Sequence, residues 1–336
     1  MTIERVLLAH GGGGRLTKEL IAQVLLPCLG NPALDPLDDA AVLDLEAGGW
    51  AFTTDSYVVS PLFFPGGDIG KLAVCGTVND LAVKGARPLW MSLGLVLEEG
   101  LPLTDLRRVA ESIGTWAQSV GVAVVTGDTK VVERGRCDGL YLNTAGIGKV
   151  VTPLPLGPAS IRPGDSVIVS GYLGDHGMAV MGRRSGISFS PEISSDCAPL
   201  WGLVSAILAT ACAVHAMRDL TRGGLAGAVC DLAESSGLGM RIWEEKLPVR
   251  GAVRGACGLL GFDPLAIANE GTMVVFCPGA EASDVLSAMR HHPLGRSAEI
   301  VGEVSEEPGG MVLLVSSIGG ERIVDMPTGE DLPRIC

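Results

Sequence analysis

Carboxylates recur along this chain at the ends of apolar runs, with glycine or hydroxyl residues close by. Asp38-Asp39 precedes Ala40-Ala41-Val42, Asp55 ends Thr53-Thr54-Asp55, and Asp80 follows Val78-Asn79. Asp128 stands in Gly127-Asp128-Thr129-Lys130, Asp219 opens Asp219-Leu220-Thr221-Arg222-Gly223-Gly224, and Glu270 lies in Asn269-Glu270-Gly271-Thr272. Taken singly, an aspartate before a helix is an N-cap and one after a strand is a turn residue. Asp80 resists that reading: the residues around it form a buried helical pattern, and a buried carboxylate needs a partner or a metal. Taken together, the acids describe a hard-cation site that handles phosphate.

Other features narrow the chemistry. No G-x-x-x-x-G-K-[ST] is present; Gly70-Lys71 comes nearest, with Pro65 and Leu72 in the wrong places, and no G-x-G-x-x-G follows a strand. A nucleotide here would be held through magnesium and loop amides. The net charge of -13 disfavours nucleic acid, whose phosphates need a basic footprint, but not ATP carried on a metal. Glycine, 47 of 336 residues, is about twice its ~7% average usage and clusters beside the acids, where backbone approaches a ligand. Nine cysteines are scattered without a C-x-x-C, most in apolar stretches such as those around Cys75 and Cys230, and the chain ends on Pro333-Arg334-Ile335-Cys336. A thiol on a short tail can carry a sulfur-bound group between sites. No signal-peptide pattern is seen, and the most apolar longer stretch, 204–217, is too short and polar to span a bilayer. The expectation is a soluble protein of a reducing, cytoplasmic compartment, with neither nucleic acid nor membrane as partner.

The elements that must position these groups alternate along the chain. A Gly-rich segment, 1–34, carries His10-Gly11-Gly12-Gly13-Gly14 and a helix over 16–26 that ends before Pro27. A first domain, 35–152, reads as strands 41–45 and 50–54, helix 69–84, strand 88–97, helix 103–120, and strands 123–126 and 140–150. Two strands before the first helix favour an α+β sheet with helices on one face. Pro153, Pro155, Pro158 and Pro163 mark a stiff linker. A second domain, 153–320, reads as strands 166–170, 240–243, 272–276, 300–304 and 312–315 with helices 177–184, 200–212, 225–236 and 282–291. From about Gly319 the core signal fades into a mobile tail, 321–336.

The order of motifs resembles the superfamily of aminoimidazole ribonucleotide synthetase, selenophosphate synthetase and thiamine monophosphate kinase, and within it the HypE family of hydrogenase maturation factors. The carriers are HGGGG, DDAAV, TTDS, the stretch Gly76 to Pro88, GDTKVV, DLTRGGL, NEGT and the terminal PRIC, which together cover nearly the whole chain. The acidic motifs give the superfamily; the terminal cysteine selects the family. The resemblance implies two α+β domains, the first dimerising through its sheet, with ATP and Mg2+ near their junction. It implies ATP-dependent dehydration of a carbamoyl group on Cys336 to a thiocyanate. The carbamoyltransferase HypF would load that group, and the HypC–HypD complex would accept the cyanide for the iron of nickel–iron hydrogenase.

On that resemblance Asp39, Asp80 and Asp219 are expected to bind the metal. Asp38, Asp55, Lys71, Asn79, Gly127, Asp128 and Thr129, with Gly11, Gly12 and Gly13, are expected to hold the nucleotide. Cys336 carries the substrate. Glu270 is the first candidate for the base at the amide nitrogen, then Lys130, then His10. Gly329 is a hinge candidate, Pro333 stiffens the tail, and Arg334 would oppose the terminal carboxylate's effect on the thiol. Two other readings stand beside this one: a small-molecule ATP-dependent kinase or synthetase of the same superfamily, with Cys336 incidental, and a nucleotide-binding scaffold.

Overall fold

The computed structural model describes residues 4–12, 14–35, 37, 40–152, 155–326 and 334–336. Helical turns open the chain: α1 (Arg15–Leu20), a π-type turn over Ile21–Leu25, and α2 (Leu26–Leu29). The helical path therefore continues past the expected stop at Pro27. The wider π turn restarts the helix at Leu26, so Pro27 falls in a first turn, where its missing N–H costs nothing. The expected strand over 41–45 is irregular instead; Val42 is 92% exposed there, with no apolar surface to hold it.

The first layer contains β1 (Trp50–Tyr57), the short β2 (Phe63–Phe64) and β3 (Gly67–Asp68), α3 (Ile69–Val83), β4 (Ala86–Glu98), α4 (Leu103–Ser119), β5 (Ala123–Val132) and β6 (Leu140–Val150). The main sheet has the order β1-β6-β4-β5, antiparallel except for β4 beside β5. α3 is apolar on nearly every side and is buried on nearly every side, between the sheet and α4. Its N-terminus is capped by Asp68, which accepts from Gly70 N and Lys71 N. α4 is amphipathic and buries Leu106, Val109, Ala110, Ile113 and Ala117. Both helices lie on one face of the sheet, as an α+β domain requires.

The second layer begins at β7 (Asp165–Val169), followed by α5 (Asp175–Ser185), α6 (Trp201–Leu208), β8 (Ala216–Asp219), α7 (Gly224–Ser236), β9 (Gly239–Trp243), α8 (Gly251–Leu260), β10 (Met273–Pro278), α9 (Ala282–His291), β11 (Glu299–Ser305), β12 (Val312–Val315) and β13 (Glu321–Val324). Its sheet runs β13-β12-β9-β11-β7-β10-β8. Separate apolar clusters cover the two faces, one built on α7 and one on α6 and α9. β8, α8 and β13 were not expected. β13 corrects the tail: residues 321–324 pair antiparallel with β12, giving an edge strand too short and polar to show a period in the sequence. Gly329 and Pro333 lie outside the described residues.

Candidate functional site

The last three residues are docked on the body of the protein. Val58 N donates to Cys336 O at 3.1 Å and Ser60 N to Arg334 O at 3.4 Å, an antiparallel pairing of the tail with residues 58–60. Between those bonds Ile335, 5% exposed, points into the first domain's core. His176, on the first turn of α5, is fully buried and reads the tail's backbone: its Nε2 donates to Ile335 O at 2.7 Å. A carbonyl can only accept, so Nδ1 is the acceptor and takes the Ser195 hydroxyl at 2.8 Å. Ser195 Oγ in turn accepts from Cys197 N at 3.0 Å. Burial holds the imidazole below its ordinary pKa, with Asp196 and the Ile335 carbonyl opposing. Arg184 donates to Ser60 O and Arg334 O, while Arg334 donates to Val58 O and pairs with Asp138.

Arg222 Nη2 donates to the Cys336 sulfur at 3.2 Å. Burial and then Glu270 push the thiol up to about 11, with Arg222 opposing. This corrects the expectation for the tail's own charges: Arg334 is turned to Asp138, and the relevant cation comes from the second domain. Glu270 is 3% exposed and its Oε1 is buried with no hydrogen-bond partner among the described residues. Burial, the Cys197 thiol and the acids Asp219, Asp196 and Asp55 raise it well above the usual carboxylate range, which favours its neutral form. The loop that carries it is built around Asp196, which accepts from Asn269 Nδ2, Glu270 N, Gly271 N and Thr272 Oγ1 at 2.9–3.1 Å.

Asp80 and Asp219 meet in a cleft of about 340 Å³ between the two layers, with Thr53, Lys84, Arg218 and Thr221 also on its wall. Asp80 projects from α3 and accepts from Thr53 Oγ1 at 2.7 Å. Its pKa is raised by burial, with Thr53 opposing and Asp55 adding repulsion. Asp219, at the end of β8, rises to about 7 through burial and then repulsion by Asp80. Asp55 accepts from Ser56 N. Asp38, Asp39 and Gly13 lie outside the described residues, and among the described residues no three of His, Cys, Asp and Glu are grouped closely enough to hold a metal ion.

A second cavity, about 360 Å³, lies at the far edge of the first sheet. Its polar end has Gly11, Gly12, Gly127, Asp128, Thr129 and Lys130; Leu25, Leu29, Leu93 and Val124 line the rest. Lys130 pairs with Asp128 at 2.8 Å. β5 is separated from β1 by two strands, so this end lies roughly 14 Å from Asp55 across the sheet. The fold thus brings Cys336, Glu270, Asp80 and Asp219 into one region and leaves Lys130 in another. Lys71 donates to Gly66 O and covers the Trp116 ring. Asn79 ties the layers together, donating to Ala198 O and Glu270 O and accepting from Leu200 N. His10 accepts from Leu7 N within its own turn. Arg222, His176 and Asp196 were not singled out in the sequence; Arg222 alone had a visible signal, its place inside DLTRGGL.

The chain matches two domain models over most of its length: AIR synthase related protein, N-terminal domain, over residues 37–150, and AIR synthase related protein, C-terminal domain, over 162–314. The carbamoyl dehydratase HypE of Rhodobacter capsulatus is 49% identical over 99% of this chain and 98% of its own length. A crystal structure of the hydrogenase maturation protein HypE in complex with ATP superposes with a TM-score of 0.95 at 43% identity, covering 98% of this chain and 99% of that one. HypE from a crystallised HypE–HypF complex superposes at 0.81, also at 43% identity, covering 94% and 100%. With the α+β layers, the cleft acids and the terminal cysteine already in place, this chain belongs to the HypE family of carbamoyl dehydratases of hydrogenase maturation.

Proposed function

We propose that the chain dehydrates a carbamoyl group on its own Cys336 to a thiocyanate, using ATP, and so supplies cyanide for the iron of nickel–iron hydrogenase. The observation that carries this reading is the docked terminus, in which the Cys336 sulfur accepts from Arg222 and feels the charge of Glu270, whose Oε1 is buried without a partner among the described residues. A free small-molecule substrate would need that place, so the docked tail speaks against the kinase or synthetase reading.

The amide oxygen of the thiocarbamate is a poor leaving group. It attacks the γ-phosphorus of ATP; the new O–P bond forms as the bond to ADP breaks, and the amide nitrogen gives up one proton. The C–O bond of the imidoyl phosphate then breaks. Phosphate departs with the second nitrogen proton, and the carbon–nitrogen triple bond is complete. Glu270, buried in the same region, is the proposed acceptor of the first proton; a cation held near Asp219 would offset the acidic neighbours that, after burial and the Cys197 thiol, raise it.

Asp80 and Asp219 suit magnesium: they are an oxygen-only pair, each raised by burial and by acidic neighbours, with Arg218 opposing in both. Asp39 is the third ligand in this reading. Bound there, the metal would neutralise charge on the polyphosphate. The glycine-edged cavity has the size and the apolar wall for a nucleoside, with Gly127, Asp128, Thr129 and Lys130 at its polar end. Asp55 faces α3, whereas Asp128 and Lys130 are exposed on the sheet's other face, so one chain does not present both halves to one phosphate. A homodimer formed through that outer face would join them, one half from each copy.

HypF is the proposed donor of the carbamoyl group, and HypC–HypD the acceptor of the cyanide, both in the cytoplasm; the tail must leave its dock to reach either. Incubation with ATP, carbamoyl phosphate and the carbamoyltransferase tests the reading. The expected result is a Cys336 peptide that first gains a carbamoyl group and then loses water, with neither change in Cys336→Ala. An adduct on an internal cysteine, or cyanide from Cys336→Ala, would overturn it.

A further inference from the structure

We infer that Arg222 is a catalytic residue of the dehydration, its guanidinium holding the phosphoryl oxygens as they pass to the carbamoyl oxygen and then leave with it. The inference rests on the function proposed above. The carbamoyl oxygen is joined to Sγ through a single carbon, and Arg222 Nη2 lies 3.2 Å from Sγ. Any phosphoryl group accepted by that oxygen therefore arrives within reach of the guanidinium.

Charge makes the need plain. Asp55, Asp80, Asp196, Asp219 and Glu270 all act on this region, and most of them would repel a phosphate. Lys71 donates to Gly66 O, Arg218 pairs with Asp231, and Arg334 pairs with Asp138 and donates to Val58 O. Among the described residues Arg222 is the basic side chain that donates to the sulfur. A planar fork of N–H donors matches phosphate oxygens in pairs, which an ammonium cannot do.

The backbone holds Arg222 in place. Gly223 and Gly224 follow it with φ of +83° and +57°, both left-handed. A Cβ on Gly224 would meet Ile267 O and Leu265 O at 2.5 Å, so this turn lies directly on the chain that leads into the Glu270 loop. Leu220 N donates to Thr272 O and Asn269 N to Leu220 O, which join the two segments. Arg222 and Glu270 are thus parts of one framework. The sulfur is hydrogen-bonded by a group that can take the phosphoryl charge and acted on by one that can take the amide proton.

The test uses the full chain, carbamoylated on Cys336 by the carbamoyltransferase and then mixed with ATP in a single turnover. Arg222→Gln should slow thiocyanate formation about a hundred-fold, the cost of losing one donor to developing charge. ATP affinity should stay within about two-fold and carbamoyl loading should be unchanged. Arg222→Lys should recover part of the rate, because charge returns without the fork. Thiocyanate formation by Arg222→Gln at the wild-type rate, or a loss confined to ATP affinity, would overturn the assignment. The contact with the sulfur is tested apart from the reaction by the pH profile of Cys336 alkylation. Without Arg222 the profile should move to higher pH, because the guanidinium favours the thiolate. An unmoved profile, or faster alkylation from a released tail, would make Arg222 something other than a catalytic group, even if the function stands. If wild-type protein makes no thiocyanate while the profile still moves, the proposed function fails, and with it the phosphoryl role.

Discussion

Asp219 is a carboxylate that the metal-free fold prefers to keep protonated. Its folded pKa is about 7, against about 3.9 for an unperturbed aspartate. Between those values the unfolded chain has lost the proton and the native protein keeps it, so this residue's contribution lowers stability as pH rises from about 4 to about 7 and is level above. Asp219→Asn should flatten that part of the melting-temperature profile and raise the melting temperature of metal-free protein at pH 8. It should also end magnesium-dependent ATP turnover. An unchanged slope in thermal melts of the variant would refute the assignment. Magnesium needs the ionised form, so its affinity should fall as pH drops below about 7. Glu270 gives the complementary case. Its surroundings favour the neutral form, so Glu270→Gln should melt within a few degrees of wild type and still bind ATP. It should form thiocyanate about a hundred-fold more slowly or worse, as loss of a proton acceptor requires. A fully active Gln variant would remove Glu270 as the base.

At the scale of elements, the tail and its dock control how Cys336 reacts. The docked sulfur is pushed up to about 11, whereas a free cysteine titrates near 8.5, so undocking raises the thiolate fraction at pH 8 by roughly two-hundred-fold. His176 donates to the Ile335 carbonyl without touching the sulfur. His176→Ala should therefore speed Cys336 alkylation at pH 8 at least about ten-fold and slow dehydration; alkylation at the wild-type rate would mean that the histidine does not hold the tail. The pairings that make this latch were not legible in the sequence. His176 and Ile335 are 159 positions apart, and Arg222 and Cys336 are 114 apart, so no period or local motif joins them. Asp80 and Glu270 were legible, Asp80 as a carboxylate inside a helical pattern that reads as buried and Glu270 in the polar break before β10. β13 was not, because four half-polar residues on a sheet edge show no pattern until β12 lies beside them. Lys71 and Asn79, expected at the nucleotide, are bonded within the protein: one donates to a loop carbonyl and the other ties the two layers together.

For the whole molecule, among the described residues the first sheet has helices on one face only, and its other face carries Phe52, 71% exposed, and Val96. A second copy laid on that face would cover this apolar surface and bring one chain's Asp128 and Lys130 toward the acids of the other. Phe52→Asp should then yield a monomer by light scattering at micromolar concentration, with dehydration lost while Cys336 can still be carbamoylated. Mixed dimers test the sharing directly. Lys130→Ala disables one half of each composite site and Asp80→Asn the other half. If the halves come from different chains, a dimer carrying one chain of each kind has one site with both halves intact and one with neither. Half of the randomly mixed dimers are of that kind, so co-refolding equal amounts of the two inactive variants should restore about a quarter of wild-type activity. If each site belonged to a single chain, every site in the mixture would keep one defect and the mixture would stay inactive. Recovery near a quarter fits only sites built from two chains, whereas a dead mixture would place Lys130 and Asp80 in the same site or Lys130 outside the mechanism.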